Sequence, residues 1–180
     1  MKDEEQLLIQ KAKNGEGAAF GQLYDRYLPQ IYRFVFLKVG RKQDAEDITQ
    51  QVFASAWQNV SRFEFKGFPF SSWLYRIASN AVIDHYRTYK ANVDIEQVPE
   101  DLFSEYTNDD EKIDTAMNVR MVRTALATLE QDQQNVLLMK FVDELSNKEI
   151  AEALQKTEGA IRVIQHRALK QLKAKLDEQH

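Results

Sequence analysis

The sequence predicts an all-α fold, built from two small helical domains that a flexible acidic linker joins. Apolar residues recur at helical spacing over most of the 180 residues, and only three prolines and six glycines interrupt them. No segment alternates apolar and polar residues as a half-buried strand does. One strongly acidic segment separates the helical stretches. We therefore expect domains at 1–90 and 117–180 and a linker at 91–116.

The predicted linker carries the acidity of the whole chain. Residues 91–116 contain nine acidic residues and one lysine, whereas 1–90 contain 13 basic and 10 acidic residues and 117–180 contain 10 and nine. The net charge of −4 is therefore local and does not exclude nucleic acid as a ligand of either domain. A segment this polar cannot bury enough apolar surface to offset its ordering entropy, so we expect it to be mobile.

Composition argues against several classes of function. The chain has no cysteine, and its three histidines lack a ligand spacing, so we expect no disulfide and no metal site. The sequence contains no nucleophile–base pair and no phosphate-binding loop, which are the features that would indicate an enzyme or a bound cofactor. The N-terminus lacks the pattern of a signal peptide, and no apolar run reaches the roughly 18 residues of a membrane helix. We expect a cytoplasmic protein.

The N-terminal domain contains two well-patterned helices. The first is expected at 44–58, with Asp44 as its N-cap, and the second at 71–89. Their apolar stripes comprise Ile48, Val52, Phe53, Ala56 and Trp57 in the first, and Trp73, Leu74, Ile77, Ala78, Ala81, Val82 and Tyr86 in the second. A loop at 61–70 joins them and contains four phenylalanines, which is unusual for a loop.

The C-terminal domain is predicted to contain a helix-turn-helix. Helices are expected from Asp114 to Thr128 and then at 132–142, 146–154 and 158–176. Ser146-Asn-Lys-Glu149 is a capping box, and Thr157 is suited to cap the last helix. Expected inward positions of that helix are Ala160, Ile161, Ile164, Ala168, Leu169 and Leu172. A short helix, a tight turn and a longer helix form the arrangement in which the second helix enters the major groove of DNA.

The last helix has the charge expected of a DNA reader. Five basic residues and no acidic residue lie between Arg162 and Lys175. Such a run supplies sequence-independent affinity for phosphates. A solvated basic face near a helix C-terminus, favoured by the helix dipole, is the alternative.

Three segments together resemble sigma factors of the sigma-70 family. Asp44-Ala-Glu-Asp-Ile-Thr-Gln-Gln-Val-Phe53 resembles the polymerase-binding segment, and Phe70-Ser-Ser-Trp-Leu-Tyr-Arg-Ile-Ala-Ser-Asn80, continuing to Asp84 and Arg87, resembles the helix that opens the promoter. Glu149-Ile-Ala and Thr157-Glu-Gly-Ala-Ile-Arg162 resemble the reader of the upstream element. Their order matches the extracytoplasmic-function (ECF) subfamily, which retains only region 2 and region 4.

The resemblance implies a polymerase-binding face on the first helix. In the family this face docks on the clamp helices of the polymerase β′ subunit. The matching residues here are Asp44, Glu46, Asp47, Gln50, Gln51 and Gln58. The family usually has an acidic residue at the position of Gln51. The uncharged glutamine of this chain weakens charge pairing there.

The resemblance also implies that the second helix and the loop melt and read the −10 element. The matching residues are Phe63, Phe65, Phe68, Phe70, Trp73, Arg76, Asn80, Asp84 and Arg87. Aromatic rings can stack on unpaired bases, and one or two of the phenylalanines are expected to fill the core instead. Arg76, Asn80 and Asp84 recur every four residues, expected opposite a Trp73/Ile77/Ala81 core face, and an intrahelical network is the alternative reading of them.

For the −35 element the resemblance implies contacts from the last helix. The matching residues are Thr157, Gly159, Arg162, Val163, His166, Arg167 and Lys170. Val163 replaces a small polar residue of the family and Ile164 replaces a common arginine, so the sequence that is read does not follow from the family. Leu129-Glu130 stands where the family commonly has Leu-Pro.

The implied partners are core RNA polymerase, promoter DNA and an anti-sigma factor, without membrane insertion. Two other functions remain open. A sigma-like decoy would bind an anti-sigma factor and no promoter, and a stand-alone helix-turn-helix regulator would bind duplex DNA without polymerase. The Asp44–Phe53 and Phe70–Arg87 motifs would have no purpose in the regulator.

Overall fold

The chain folds into helices throughout the residues that the structure describes, 2–92 and 110–178 of a computed structural model. The N-terminal helices are α1 (Lys2–Lys13), α2 (Gly17–Val39), α3 (Lys42–Asn59), a 3₁₀ turn (Val60–Arg62) and α4 (Phe70–Asn92). The C-terminal helices are α5 (Asp110–Ala127), α6 (Gln131–Leu137) with a π turn (Leu138–Val142), α7 (Asn147–Leu154) and α8 (Glu158–Glu178). The predicted all-α fold is confirmed.

The start of α3 differs from the prediction. Arg41, not Asp44, occupies the N-cap position in extended conformation. Asp44 lies within the first turn, where a carboxylate is favoured by the helix dipole. Trp57, expected to be buried, is 38% exposed and covers Phe20 from the outside, with 5.0 Å between ring centroids.

The core face of α4 also differs from the prediction. Its fully buried apolar positions are Phe70, Leu74, Tyr75, Ala78 and Val82, whereas Trp73, Ile77 and Ala81 are only partly buried. The helix is therefore rotated relative to the expected orientation. The predicted reading residues Asn80 and Asp84 do not lie opposite Ile77 and Ala81, because residues three and four positions apart share a helix face, and all four line the same cleft.

In the C-terminal half, α6 begins with a capping box at Glu130, where the family commonly has a proline. The Glu130 N–H donates to Gln133 Oε1 at 3.1 Å, a bond that a proline at this position could not make. On α8, Leu169 is 40% exposed and does not belong to the buried face as expected, while Ile161 and Ala168 are fully buried.

Both helices that flank the predicted linker extend into it. α4 runs to Asn92 and α5 begins at Asp110, so 91–92 and 110–116 are helical. Residues 93–109, on which the expected mobility of the linker depends, lie outside the described residues. No helix in the described part of the chain is both long and apolar enough to span a membrane.

The C-terminal helices pack directly on the N-terminal helices. α7 lies against α4, α5 lies against α2, and one apolar cluster runs through both halves. Gly40 ends α2 in the left-handed conformation with φ 78°, and its N–H bonds to the Phe36 carbonyl. A Cβ there would meet the guanidinium of Arg123 of α5, and that side chain would have to move aside.

Candidate nucleic-acid interface

The helix-turn-helix is built by two side-chain caps. Ser146 Oγ accepts the Glu149 N–H at 3.2 Å, and the Ser146 N–H donates to Glu149 Oε2 at 2.6 Å. Gln155 ends α7 in the left-handed conformation, and Thr157 Oγ1 then accepts the Ala160 N–H at 3.1 Å to begin α8. Both predicted caps are confirmed. They fix the short turn and therefore the angle at which α8 leaves α7.

The predicted reading face of α8 is open to solvent. All seven residues that the resemblance assigned to the −35 element are exposed: Thr157, Gly159, Arg162, Val163, His166, Arg167 and Lys170. Arg162 pairs with Glu158 at 3.2 Å, but its side chain is 63% exposed. A surface ion pair of this kind contributes little, so the guanidinium is available to a DNA ligand.

Five of the six residues expected to bind polymerase are exposed on α3, and two of them, Asp47 and Gln51, also line a cleft between α3 and α4. Glu46, Asp47, Gln50, Gln51 and Gln58 are exposed in the structure. Asp44 is different, because it lies between Arg41 Nε at 3.7 Å and His85 Nε2 at 3.8 Å and is only partly exposed. These contacts give Asp44 a role in joining α3 to α4.

An open cleft of about 540 Å³ lies between α3 and α4. Asn80 and Asp84 line it from α4, and Asp47 and Gln51 line it from α3. Carboxylates repel phosphates, but with amides they accept hydrogen bonds from the amino groups of base edges. The cleft is therefore suited to a base rather than to the DNA backbone. Arg87, three residues after Asp84 on α4, is largely exposed and pairs with it at 3.9 Å.

The aromatic loop divides into core residues and accessible residues. Phe63 and Phe70 are buried and pack with Trp73, with ring centroids 5.2–5.3 Å apart. These two are therefore the loop phenylalanines that fill the core, as expected for one or two of the four, and base stacking by either ring stays a prediction. Phe65 is 51% exposed, and Phe68 is partly buried beneath Lys148, whose Nζ lies 5.6 Å from the ring centroid.

Arg76 points to the C-terminal half instead of into an intrahelical network. Its Nη2 donates to the Glu152 carbonyl oxygen at 2.5 Å and lies 3.3 Å from Glu152 Oε1. One turn earlier, the Ser72 hydroxyl donates to the Glu149 carbonyl at 3.2 Å. In this conformation α7 thus occupies the predicted DNA-facing surface of α4 around Arg76.

Sequence reasoning missed a polar contact between the two halves. Arg33 Nη2 donates to Asp143 Oδ1 at 2.6 Å, and no part of the Asp143 side chain is exposed. Burial raises the pKa of Asp143, although the bond from Arg33 opposes this effect. The Tyr75 hydroxyl lies close to the same carboxylate without forming a well-aligned hydrogen bond.

A second missed contact involves Lys38, which the apolar pattern of α2 places next to the core. Its Nζ donates to Asn135 Oδ1, and only 5% of the residue is exposed. Burial lowers the pKa of Lys38 from 10.5 to about 7, and Asp132 partly counters the effect. The sequence signal for this site is a lysine that follows Phe34 by four residues and so lies on the apolar stripe of α2.

Two family models match the chain. The model described as Sigma-70 region 2 matches residues 23–91, and the model described as Sigma-70, region 4 matches residues 120–172. Together they cover more than half of the chain and correspond to α2–α4 and α5–α8.

Curated relatives match over nearly the whole chain. The ECF RNA polymerase sigma factor BldN of Streptomyces coelicolor is 33% identical over 92% of this chain, which spans 63% of that relative's length. The ECF sigma factor SigW of Bacillus subtilis is 29% identical over 93% of this chain and 94% of its own.

Solved structures share the fold. The structure of CnrH in complex with the cytosolic domain of CnrY matches with a TM-score of 0.76, 23% identity and coverage of 98% of this chain and 99% of that one. The sigma factor RpoE of Bartonella quintana, solved with the anti-sigma factor NepR, matches with a TM-score of 0.67, 23% identity and coverage of 88% and 96%. With its helix-turn-helix, its aromatic loop and both region models in order, the chain belongs to the sigma-70 family as an ECF sigma factor with regions 2 and 4.

Proposed function

We propose that the chain binds core RNA polymerase and directs promoter-specific initiation through two separate DNA contacts. Region 4 would read the −35 duplex with α8, and region 2 would melt and read the −10 element with the aromatic loop and the cleft between α3 and α4. The observation that carries the proposal is that one chain presents both an exposed basic reader face on α8 and an exposed loop aromatic, Phe65.

The two contacts need different chemistry, and the residues differ accordingly. On α8, Arg162 and Arg167 can donate to base edges and phosphates of an intact duplex. In region 2, Phe65 can stack on an unpaired base while Asn80 and Asp84 accept or donate at its edge. Binding energy drives the melting in this account, with no nucleotide hydrolysis.

The exposed part of α3 is the proposed docking surface for polymerase. Asp47 and Gln50 carry this role together with Glu46, Gln51 and Gln58, whereas Asp44 supports the helix through Arg41 and His85. An anti-sigma factor is a further proposed partner, since RpoE, which shares the fold, was solved with one. Function at the chromosome makes the cytoplasm the proposed location.

The test is transcription by core polymerase from a promoter library, with and without the chain. Promoter-specific transcripts that require the chain are expected, and their sequences reveal the specificity. Core binding without initiation would favour the decoy. Duplex binding without any effect of core would favour a stand-alone regulator.

Residue variants separate the two proposed contacts. Arg162→Ala should weaken binding to the −35 duplex, whereas Asn80→Ala should leave duplex binding unchanged and impair opening. Lys173→Ala, at another exposed position of α8, is a matched control for the loss of one positive charge. Initiation at wild-type levels by both Arg162→Ala and Asn80→Ala would contradict the residue assignments.

A further inference from the structure

Helix α1 takes no part in the contacts proposed above, and it lies before the residues that match Sigma-70 region 2. Its buried apolar side chains pack it against α2 and against the 3₁₀ turn that leads into the aromatic loop. Two polar side chains of α1, Glu5 and Lys13, also form bonds to other elements. These two bonds connect α1 to the two ends of the loop.

Lys13 holds the first end of the aromatic loop. Its Nζ donates to the Phe63 carbonyl oxygen at 2.6 Å, although the two residues are 50 positions apart. Phe63 is the residue at which the 3₁₀ turn ends and extended backbone begins. Its ring packs against Phe70 and Trp73, with centroids 5.3 and 5.2 Å away. Both the backbone and the ring of this residue are therefore held in place.

Glu5 supports the other end of the loop through α2. The Tyr27 hydroxyl donates to Glu5 Oε1 at 2.7 Å, and Arg26 Nη1 lies 3.7 Å from Glu5 Oε2. The Tyr27 ring packs against Phe70, the first residue of α4, with 5.8 Å between ring centroids. Phe70 is fully buried, so its position fixes where the loop rejoins the fold.

The spacing of Glu5 and Lys13 suits them to reach both ends. With Ile9 between them they recur every four residues, so they share one face of α1. Eight residues of helix span roughly 12 Å at 1.5 Å per residue. Ile9 is buried, and together with Phe65 and Phe68 it lines a groove of about 250 Å³. One helix therefore contacts both ends of the loop and borders its accessible phenylalanines.

We propose that α1 is a brace that positions the aromatic loop for capture of an unpaired base, with Lys13 as the positioning residue. The inference rests on the proposed function for the role of the loop. A loop held at both ends loses less conformational freedom when Phe65 stacks on a base, so the brace raises the fraction of chains that are ready to capture it. Lys13 contacts neither DNA nor polymerase in this account and acts through the Phe63 carbonyl.

Substitutions at the two bonds test the brace. Lys13→Met keeps the apolar stem but removes the donor, whereas Lys13→Arg keeps a charged donor for the carbonyl oxygen. Lys11→Met is the matched control, because Lys11 also lies in the last turn of α1 and is exposed. Tyr27→Phe removes the bond to Glu5 at the other end. Its control is Tyr24→Phe, which removes a hydroxyl elsewhere on α2.

The position of the loop is measured without DNA by the fluorescence of Trp73. The chain has two tryptophans, so Trp57→Phe leaves Trp73 as the single reporter. In that background Lys13→Met should increase the quenching of Trp73 by acrylamide, because Phe63 then covers the indole for less of the time. Lys13→Arg and Lys11→Met should be quenched like their parent. Unchanged quenching in a folded Lys13→Met chain would overturn the brace.

The effect on function is measured with core polymerase on a promoter selected from the library. A typical hydrogen bond shifts an equilibrium roughly 2- to 12-fold, so Lys13→Met should open the promoter more slowly by about this factor. Its affinities for core polymerase and for the −35 duplex should equal those of the wild type, a split that general unfolding would not produce. Lys13→Arg should restore opening, and Tyr27→Phe should open more slowly than Tyr24→Phe.

Two outcomes separate the brace from the proposed function. If the wild type opens the promoter and Lys13→Met opens it at the same rate, the positioning role is overturned while the proposed function stands. If the quenching changes as expected but the wild type opens no promoter, α1 still holds the loop and the proposed function fails.

Discussion

Substituting Lys38 with methionine tests whether the contact between the halves buries an amine at the cost of stability. The pKa of Lys38 falls from 10.5 to about 7 in the folded chain because burial disfavours the charged form. The unfolded state therefore binds more protons than the folded state between pH 7 and 10.5, and stability must rise with pH across that window. Methionine has a similar shape and no titration, so it should abolish this rise.

The expected magnitude follows from the two pKa values. Linkage gives a gain of about 2 kcal/mol in the free energy of unfolding of the wild type between pH 7 and pH 9 from this group alone. Three other ionisable groups lie close to Lys38, namely Asp132, Arg123 and Tyr86. Because they are present in both proteins, most of their contribution to the pH dependence cancels in the difference between Lys38→Met and wild type. Methionine also leaves Asn135 without its partner, which costs about 1–3 kcal/mol at both pH values.

Urea denaturation at pH 7 and pH 9 measures the effect. The difference in unfolding free energy between Lys38→Met and wild type should move by about 2 kcal/mol in favour of the wild type as the pH rises. Lys66→Met, at an exposed position, is the matched control and should show no such change. A difference that is the same at both pH values would refute the claim that Lys38 is buried as described.

Four further predictions concern the helix-turn-helix and the loop. Ser146→Ala removes one cap of α7 and should lower the unfolding free energy by about 0.5–2 kcal/mol, measured by thermal melting followed by circular dichroism; an unchanged melting temperature would contradict the capping role. Phe70→Ala should cost about 3–5 kcal/mol because the ring is fully buried. Phe65→Ala should leave stability within about 0.5 kcal/mol but reduce promoter opening, read as permanganate reactivity of unpaired thymines; normal opening would exclude Phe65 as a stacking residue. Arg162→Ala should weaken −35 duplex binding by about 1–3 kcal/mol in a titration at fixed salt, and equal loss at every sequence would show a phosphate contact instead of base reading.

Local rules predicted the helix-turn-helix well. The Ser146–Glu149 box and the Thr157 cap depend on residues three positions apart, so the printed sequence contains all the information that they need. The same holds for the division of the chain into helical halves, which depends on helical periodicity and on the concentration of acidic residues.

The rotation of α4 could not be predicted in the same way. Trp73, Ile77 and Ala81 form as good an apolar stripe as Leu74, Ala78 and Val82, and only packing against α2 decides which one is buried. The loop phenylalanines posed the same problem. Phe63 packs on Trp73 of α4 and Phe70 packs on Tyr27 of α2, and no local pattern contains either of these contacts between elements.

The contact between the halves was beyond sequence reasoning for a different reason. Arg33 and Asp143 are separated by 110 positions, and neither belongs to a motif. A charged residue on a helix surface is most often solvated, so its partner becomes visible only in the fold.

The most direct test of the central claim is permanganate footprinting of a promoter selected from the library, using core polymerase with and without the chain. We predict reactive thymines around the −10 element only when both are present, and their loss with Asn80→Ala while the −35 contact persists. Binding of the chain to core polymerase without any reactive thymine on any selected promoter would contradict the account.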